Sequence, residues 1–280
     1  MSSQYPPVSL PNSEVRLLES SIVRDTYRLF IALPGEYADS DRTYPVVYAT
    51  DGNSDVSLLA SKVRKLNFSQ ELPPLILVGI GYSTDNASDM WQLRVRDLRP
   101  TSDPEAEQKV REFPFQLASL PSPGAGAFLR FIREELKPFI NANYRTDPND
   151  SAYVGFSSGG MFGLYTLFHH PDTFSRYVIG SAPICWDNKA VLTYERDYAE
   201  AHNDLPVRVF MSVGSREEMD DPLPFIEPSY QFVTNVNSLA EILQGRNYPG
   251  LRLTTHVFDD ETHMSVIPAT FSRGLRVVFG

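Results

Sequence analysis

Cysteine is almost missing from this chain: Cys185 is the only one in 280 residues. That excludes an intrachain disulfide framework and a cysteine-rich zinc site, and the residue reads as a small packed side chain in a reduced cytoplasm. An excess of positive charge is missing too. Lys and Arg number 25 against 35 Asp and Glu, a formal charge of −10. No basic patch is available to neutralise phosphates, so nucleic acid is not an expected partner. No apolar run approaches the length that spans a bilayer, and no membrane partner is expected. The opening Met1-Ser-Ser-Gln-Tyr-Pro-Pro-Val8 has neither the basic nor the apolar region of a secretory signal, which makes a cytoplasmic location the expectation. The sequons at Asn67, Asn86 and Asn149 then carry no glycan. Histidine is scarce, with five, and none stands in a metal-ligand spacing such as H-E-x-x-H, so neither a metal nor an organic cofactor is expected. No internal repeat and no break in composition divides the chain, which reads as one domain over residues 1–280.

What is present is an ordinary globular composition, 42% hydrophobic and 21% charged, in a length that buries a sizeable core. Val15–Val23 and Thr26–Leu33 predict a hairpin. In its second strand Tyr27, Leu29, Ile31 and Leu33 recur with the period of a half-buried strand. Tyr44–Thr50 and Pro74–Gly81 are nearly continuous apolar runs, as central parallel strands require, with a helix over Ser54–Leu66 between them. Further strands are predicted at Tyr153–Gly155, Arg176–Gly180, Pro206–Val213 and Leu251–Phe258. Helices are predicted at Gly124–Ile140, where Phe128, Phe131, Ile132, Leu136, Phe139 and Ile140 form one stripe, and at Ser158–His169, Asp187–His202, Tyr230–Leu243 and Ser265–Phe279. Two strands followed by alternating strands and helices predict an α/β fold: a mostly parallel central sheet, helices on both faces and an antiparallel N-terminal edge. Residues 82–122 stand apart. They hold four prolines, with Pro123 just beyond, and no sustained period, and read as a long loop or insertion near a cleft, either a lid or binding wall or a disordered segment. In 89–99, Met90, Trp91, Leu93, Val95 and Leu98 could pack.

The chemistry centres on Ser151-Ala-Tyr-Val-Gly-Phe-Ser-Ser-Gly-Gly-Met161. Gly155, Ser157 and Gly159 have the G-x-S-x-G spacing of a nucleophile elbow, a strand-to-helix turn so sharp that side chains two positions either side of the serine would collide. A serine hydroxyl needs a base and an acid that orients the base, and in this type of sheet they follow in the order Ser, Asp or Glu, His, on loops at the carboxyl ends of strands. His169 and His170 lie about 15 Å or more of helix away from Ser157. His202 sits in a polar segment and His256 inside a strand. His263, between the last strand and the last helix, is left as the base. The acid should follow Val207–Val213, where Glu217, Glu218, Asp220 and Asp221 are the candidates. Glu217 is favoured because a short turn after Gly214 sets the third residue near the strand end. The backbone N–H of Ser158 and that of Asn53, beside Gly52 in the turn after the third strand, are the expected oxyanion donors. Asp51 reads as a residue that fixes that turn.

The chain resembles the putative-esterase branch of the α/β-hydrolases, which includes siderophore esterases, S-formylglutathione hydrolases and mycolyltransferases. The residues that carry the likeness include Tyr44-Pro-Val-Val-Tyr-Ala-Thr-Asp-Gly-Asn53, Arg94-Val-Arg-Asp-Leu-Arg-Pro-Thr101, Gly155-Phe-Ser-Ser-Gly-Gly160, Ser181-Ala-Pro-Ile-Cys-Trp-Asp187 and Glu261-Thr-His-Met-Ser265. The siderophore esterases that open ferric catecholate trilactones are the nearest match. The resemblance implies the α/β-hydrolase fold, Ser157 as nucleophile, His263 as base, Glu217 as acid, and Asn53 and Ser158 as oxyanion donors. It also implies that Arg94 and Arg96 face the cleft, where they would attract an anionic substrate, although Arg96 could instead pair with Asp97 and pin the loop. Trp186 is implied as a pocket wall, with core packing as its alternative. A single tryptophan stands where these relatives often have two, and residues 102–122 resemble an insertion. The expected function is therefore a serine carboxylic-ester hydrolase working through an acyl-enzyme on a small-molecule ester, with a siderophore-type lactone as the candidate substrate. An acyltransferase using the same acyl-enzyme and a non-catalytic binding protein on the same scaffold are the alternatives.

Overall fold

A computed structural model describes residues 9–112, 114–224 and 226–280. The chain opens with the hairpin β1 (Ser13–Ser20) and β2 (Asp25–Ala32). Tyr27, Leu29 and Ile31 of β2 point inward and are fully buried, as their alternation dictates. β3 (Tyr44–Ala49), α1 (Gly52–Phe68) and β4 (Ile76–Tyr82) follow. Every residue of β4 is buried, the mark of a strand covered on both faces. Later strands are β5 (Thr146–Phe156), β6 (Arg176–Gly180), β7 (Arg208–Gly214) and β8 (Arg252–Phe258). Among the described residues these form one eight-stranded sheet in the order β1-β2-β4-β3-β5-β6-β7-β8. β2 pairs antiparallel with β1 and β4, and from β4 to β8 all neighbours are parallel.

The sheet has a core on each face. On one, Phe128, Phe162, Leu239 and the buried side chains of β2 and β5 form an aromatic-rich cluster. On the other, Val47, Val154, Val178 and Phe210 pack under Leu59 and Val63 of α1 and Phe271 and Leu275 of α9 (Ile267–Phe279). The first core is covered by α4 (Ala125–Phe131), α5 (Lys137–Asn143), α6 (Ser158–His169), α7 (Trp186–Ala201) and α8 (Phe232–Gly245). The parallel strands β3, β5, β7 and β8 end toward α1, α6, the turn after β7 and the turn before α9, so the loops at those ends meet along one edge.

Two sequence expectations change. The helix predicted over 124–140 is continuous to Asn143 but carries a π-helical turn at Ile132–Leu136. Pro138 follows it, has no N–H to give and crowds the preceding carbonyls, which favours a wider turn there. The segment 82–122 holds two helices, α2 (Ala87–Leu98) and α3 (Pro104–Glu112). Asn86 caps α2, its side chain accepting from the N–H groups of Ser88 and Asp89 at 2.9 and 3.1 Å. The loop reading failed because α2 buries only Val95, Asp97 and Leu98 and α3 buries nothing, so neither shows an apolar stripe.

Candidate active site

At the end of β5 the backbone turns through Ser157, which has φ 57° and ψ −120°, a region that costs a non-glycine residue about 1–3 kcal/mol and persists only where the surroundings enforce it. Here the enforcement is steric. A Cβ on Gly155 would lie 2.3 Å from the carbonyl oxygen of Gly159, and one on Gly159 would lie 2.5 Å from Oγ1 of Thr50. The Ser157 N–H donates to the Gly180 carbonyl of β6 at 2.9 Å, and the Tyr153 hydroxyl donates to the Gly159 carbonyl at 2.7 Å. The turn is thus held from the sheet below and from the next strand.

His263 lies in the turn between β8 and α9, and its ring packs against Phe156 and Phe232 with centroids 5.0 and 5.7 Å away. Its Nε2 is 3.0 Å from Oγ of Ser157, and its Nδ1 is 2.6 Å from Oε2 of Glu217. His263 and Glu217 are 2% and 1% exposed. The other Glu217 oxygen accepts from the Ser181 hydroxyl at 2.6 Å and from the Gly214 N–H at 2.7 Å. With both carboxylate oxygens engaged by donors, the side chain cannot turn away from the imidazole.

The four carboxylates after β7 divide cleanly. Glu217 meets the ring of His263. Asp221 accepts from the His263 backbone N–H at 2.6 Å and so fixes the turn that carries the ring. Glu218 accepts from the N–H and hydroxyl of Thr234 on α8. Asp220 pairs with Arg216 at 2.9 Å. The other four histidines are elsewhere. His169 and His170 stand at the far end of α6, His202 stacks on Tyr198, and His256 on β8 meets Arg273.

Asn53 and Ser158 both reach the cavity above Ser157. Each sits in the first turn of its helix, where a backbone N–H has no intrahelical acceptor. The Asn53 side chain is tied to the backbone of Tyr82, donating to its carbonyl at 3.1 Å and accepting from its N–H at 2.7 Å. Gly52 passes so close to β4 that a Cβ there would lie 2.6 Å from the Gly79 carbonyl carbon. Asp51, in left-handed backbone with φ 58°, does fix this turn: Arg94 donates to its two oxygens at 2.6 and 3.1 Å. A third Arg94 nitrogen donates to Oγ of Ser158 at 3.1 Å, so one guanidinium joins the turn after β3 to the start of α6. No local pattern in the sequence signals this link, nor the Ser181 and Asp221 contacts.

Arg94 lines the cavity and Arg96 does not. Arg96 pairs with Asp97 at 2.7 Å and with Asp25 at 2.9 Å. Asp97, fully buried, also accepts from the Tyr27 hydroxyl at 2.6 Å. The expectation that Arg96 faces the cleft is therefore corrected, and the pinning alternative describes it. Trp186 is on the cavity wall, its indole N–H donating to the Thr101 carbonyl at 3.1 Å. The cavity measures about 1070 Å³, at the upper end of small-molecule sites. Residues of α3 also line it, as do Asn188 and Lys189 of the left-handed turn Asp187–Lys189, whose φ values are 48°, 51° and 62°. Among the described residues no helix is long and apolar enough to cross a membrane.

Residues 20–263 match the family model described as Putative esterase. The ferri-bacillibactin esterase BesA of Bacillus subtilis is 31% identical over 273 residues, 96% of this chain and 90% of that protein. The siderophore triacetylfusarinine C esterase of Aspergillus fumigatus is 27% identical over 300 residues, 100% of this chain and 97% of the relative. The crystal structure of BES protein from Bacillus cereus superposes with a TM-score of 0.81 at 27% identity, covering 100% of this chain and 99% of that one. A chain matched over most of its length by an esterase family, and built on the same sheet as its solved relative, is a carboxylic-ester hydrolase of the α/β-hydrolase fold, and it belongs to the Putative esterase family.

Proposed function

We propose that the protein hydrolyses a siderophore ester through an acyl-enzyme on Ser157, with His263 as the base and Glu217 as the orienting acid. The observation that carries this reading is the unbroken chain Glu217–His263–Ser157, at 2.6 and 3.0 Å, with His263 and Ser157 on the wall of the cavity. Glu217 holds the imidazole with its proton on Nδ1, which leaves Nε2 free to accept the serine proton. Oγ of Ser157 attacks the ester carbonyl, and the oxygen that takes up the negative charge is met by the N–H groups of Asn53 and Ser158. His263 then gives its proton to the departing alcohol, and in the second half accepts one from the water that releases the acid. Arg94 and Trp186 form part of the wall against which the substrate rests. The size of the cavity suits a bulky multi-ring ester rather than a short acyl chain, and the named activities of the relatives supply the substrate class. We place the activity in the cytoplasm, where the single Cys185 thiol stays reduced.

The test is a panel of p-nitrophenyl esters beside ferric siderophore esters and a thioester, with Ser157→Ala and His263→Ala as controls. Each variant should lose at least about a thousandfold in kcat while keeping its circular dichroism. Full activity in either would refute the assignment. Measuring products with a competing alcohol present separates hydrolysis from acyl transfer.

A further inference from the structure

Two arginines over the cleft were the reason to expect an anionic substrate. Among the described residues, the charged side chains that line the cavity are three cations, Arg94, Lys109 and Lys189, and four carboxylates, Asp51, Asp55, Asp103 and Glu105. Arg94 is engaged by both oxygens of Asp51. Lys109 pairs with Glu227 at 2.7 Å. Once those pairs are set aside, Asp55, Asp103 and Glu105 remain against Lys189 alone. Arg96 contributes nothing, being paired twice and off the cavity. The cavity thus has the same sign as the whole chain, whose formal charge is −10, and lacks a free cationic funnel.

Asp55 occupies a particular place in that surplus. It is two residues beyond Asn53 in the first turn of α1 and lines the same cavity. Among the described residues no ion pair neutralises it: burial and Asp51 beside it raise the cost of its charge, and a hydrogen bond from the Ser54 side chain and the field of Arg94, already held by Asp51, relieve that only in part. Burial and Asp51 together push its carboxyl up to about 6. A carboxylate that lines the cavity shared with Ser157, with no paired cation among the described residues, repels a substrate that brings further negative charge.

We propose that the cavity selects an ester whose metal complex carries no negative charge, of the ferric tris-hydroxamate kind, against the trianionic ferric tris-catecholate, and that Asp55 is the specificity-determining side chain. The proposal rests on the siderophore reading above and narrows its substrate class. The direct test compares kcat/KM for the ferric complex of a cyclic tris-hydroxamate triester with that for the ferric complex of a cyclic tris-catecholate trilactone. The neutral complex should lead by about tenfold or more, in the range that such fields impose on charged ligands. Raising the salt concentration should speed the anionic substrate, because it screens a repulsion. In Asp55→Asn the ratio of neutral to anionic kcat/KM should fall by about tenfold, whatever the variant does to either rate alone. A wild-type preference for the trianion, a rate on it that falls with salt, or an unchanged ratio in Asp55→Asn would each overturn the proposal. If neither complex is hydrolysed, the siderophore reading fails, and p-nitrophenyl butyrate against the anionic p-nitrophenyl hemisuccinate decides the charge rule alone. Equal use of those two esters overturns it, and discrimination against the hemisuccinate that Asp55→Asn relaxes supports it.

Discussion

Replacing Glu217 by Gln changes one atom and leaves the volume of the site intact, so it isolates what the carboxylate does. In the native site one oxygen accepts from His263 Nδ1 at 2.6 Å, and the other accepts from the Ser181 hydroxyl and the Gly214 N–H at 2.6 and 2.7 Å. An amide has only one accepting end. If its oxygen keeps Ser181 and Gly214, its NH₂ faces Nδ1 and forces the imidazole into the tautomer with the proton on Nε2, where it can no longer accept from Ser157. If its oxygen keeps the histidine, two N–H donors meet head-on at Gly214, inside a site where Glu217 is 1% exposed. A buried donor without an acceptor costs about 1–3 kcal/mol, and two opposed donors cost at least as much, so the first arrangement prevails. The wrong tautomer should lower kcat by roughly 10³–10⁴, or about 4–5.5 kcal/mol of barrier. The assay is kcat and KM on p-nitrophenyl butyrate, with active-site titration to count competent serines and a thermal melt to show that the fold persists. KM should hardly move, because the acid does not touch the substrate. A Glu217→Gln variant within tenfold of wild type would refute the reasoning. It would refute it more sharply still if Asp221→Asn, which loosens the His263 backbone instead, proved the more damaging change.

Other consequences follow from the same geometry. Gly52→Ala sets a Cβ 2.6 Å from the Gly79 carbonyl carbon and 2.9 Å from that of Ile80; since both are sheet backbone, denaturant unfolding should show a loss of about 1–3 kcal/mol, and displacement of the adjacent Asn53 N–H should lower kcat. Asp55 carries a pH signature in stability as well. Its carboxyl sits near 6 in the fold against 3.8 as a free group, so the native state holds the proton more tightly than the unfolded chain and stability falls as pH rises through that window. The full penalty of the charge is then present above pH 6 and absent below about pH 4. Asp55→Asn should stabilise by about 1–2 kcal/mol at pH 7.5, the partial exposure of the carboxylate being allowed for. Melts at pH 4 and 7.5 that show the same difference would contradict this.

How much of this was legible in the chain depended on how local the cause was. The elbow is a steric rule acting over five residues, and Gly155, Ser157 and Gly159 state it outright. The strands were legible where burial on both faces leaves continuous apolar runs, as in β3 and β4. His263 could be found because five histidines leave few choices and the order of elements removes four. The acid was harder. Glu217, Glu218, Asp220 and Asp221 lie within five positions, and nothing local tells which one meets the imidazole. Their sorting is done by partners far away in sequence: Ser181 for Glu217, Thr234 for Glu218 and the His263 backbone for Asp221. The helices α2 and α3 were missed for a related reason. They close a cavity rather than cover a core, so their apolar residues answer to two surfaces and make no single stripe.

That miss explains the misplaced arginine. Read as loop, Arg94 and Arg96 could both turn to the cleft. On a helix of 3.6 residues per turn, positions two apart are separated by about 200° around the axis and face opposite ways. Once α2 exists, one arginine at the cavity requires the other to leave it, and Arg96 goes to Asp97 and Asp25 on the sheet side. The remaining arginine is not a free charge either. Its partner Asp51 lies 43 positions earlier, at the end of β3, and the ion pair forms only because β3, α2 and α6 converge at the elbow. A count of cations in a segment therefore says little about the potential a substrate meets there, because the sign of a cleft is set by which charges the fold leaves without an opposite charge, and here, among the described residues, those are Asp55, Asp103 and Glu105 rather than either arginine.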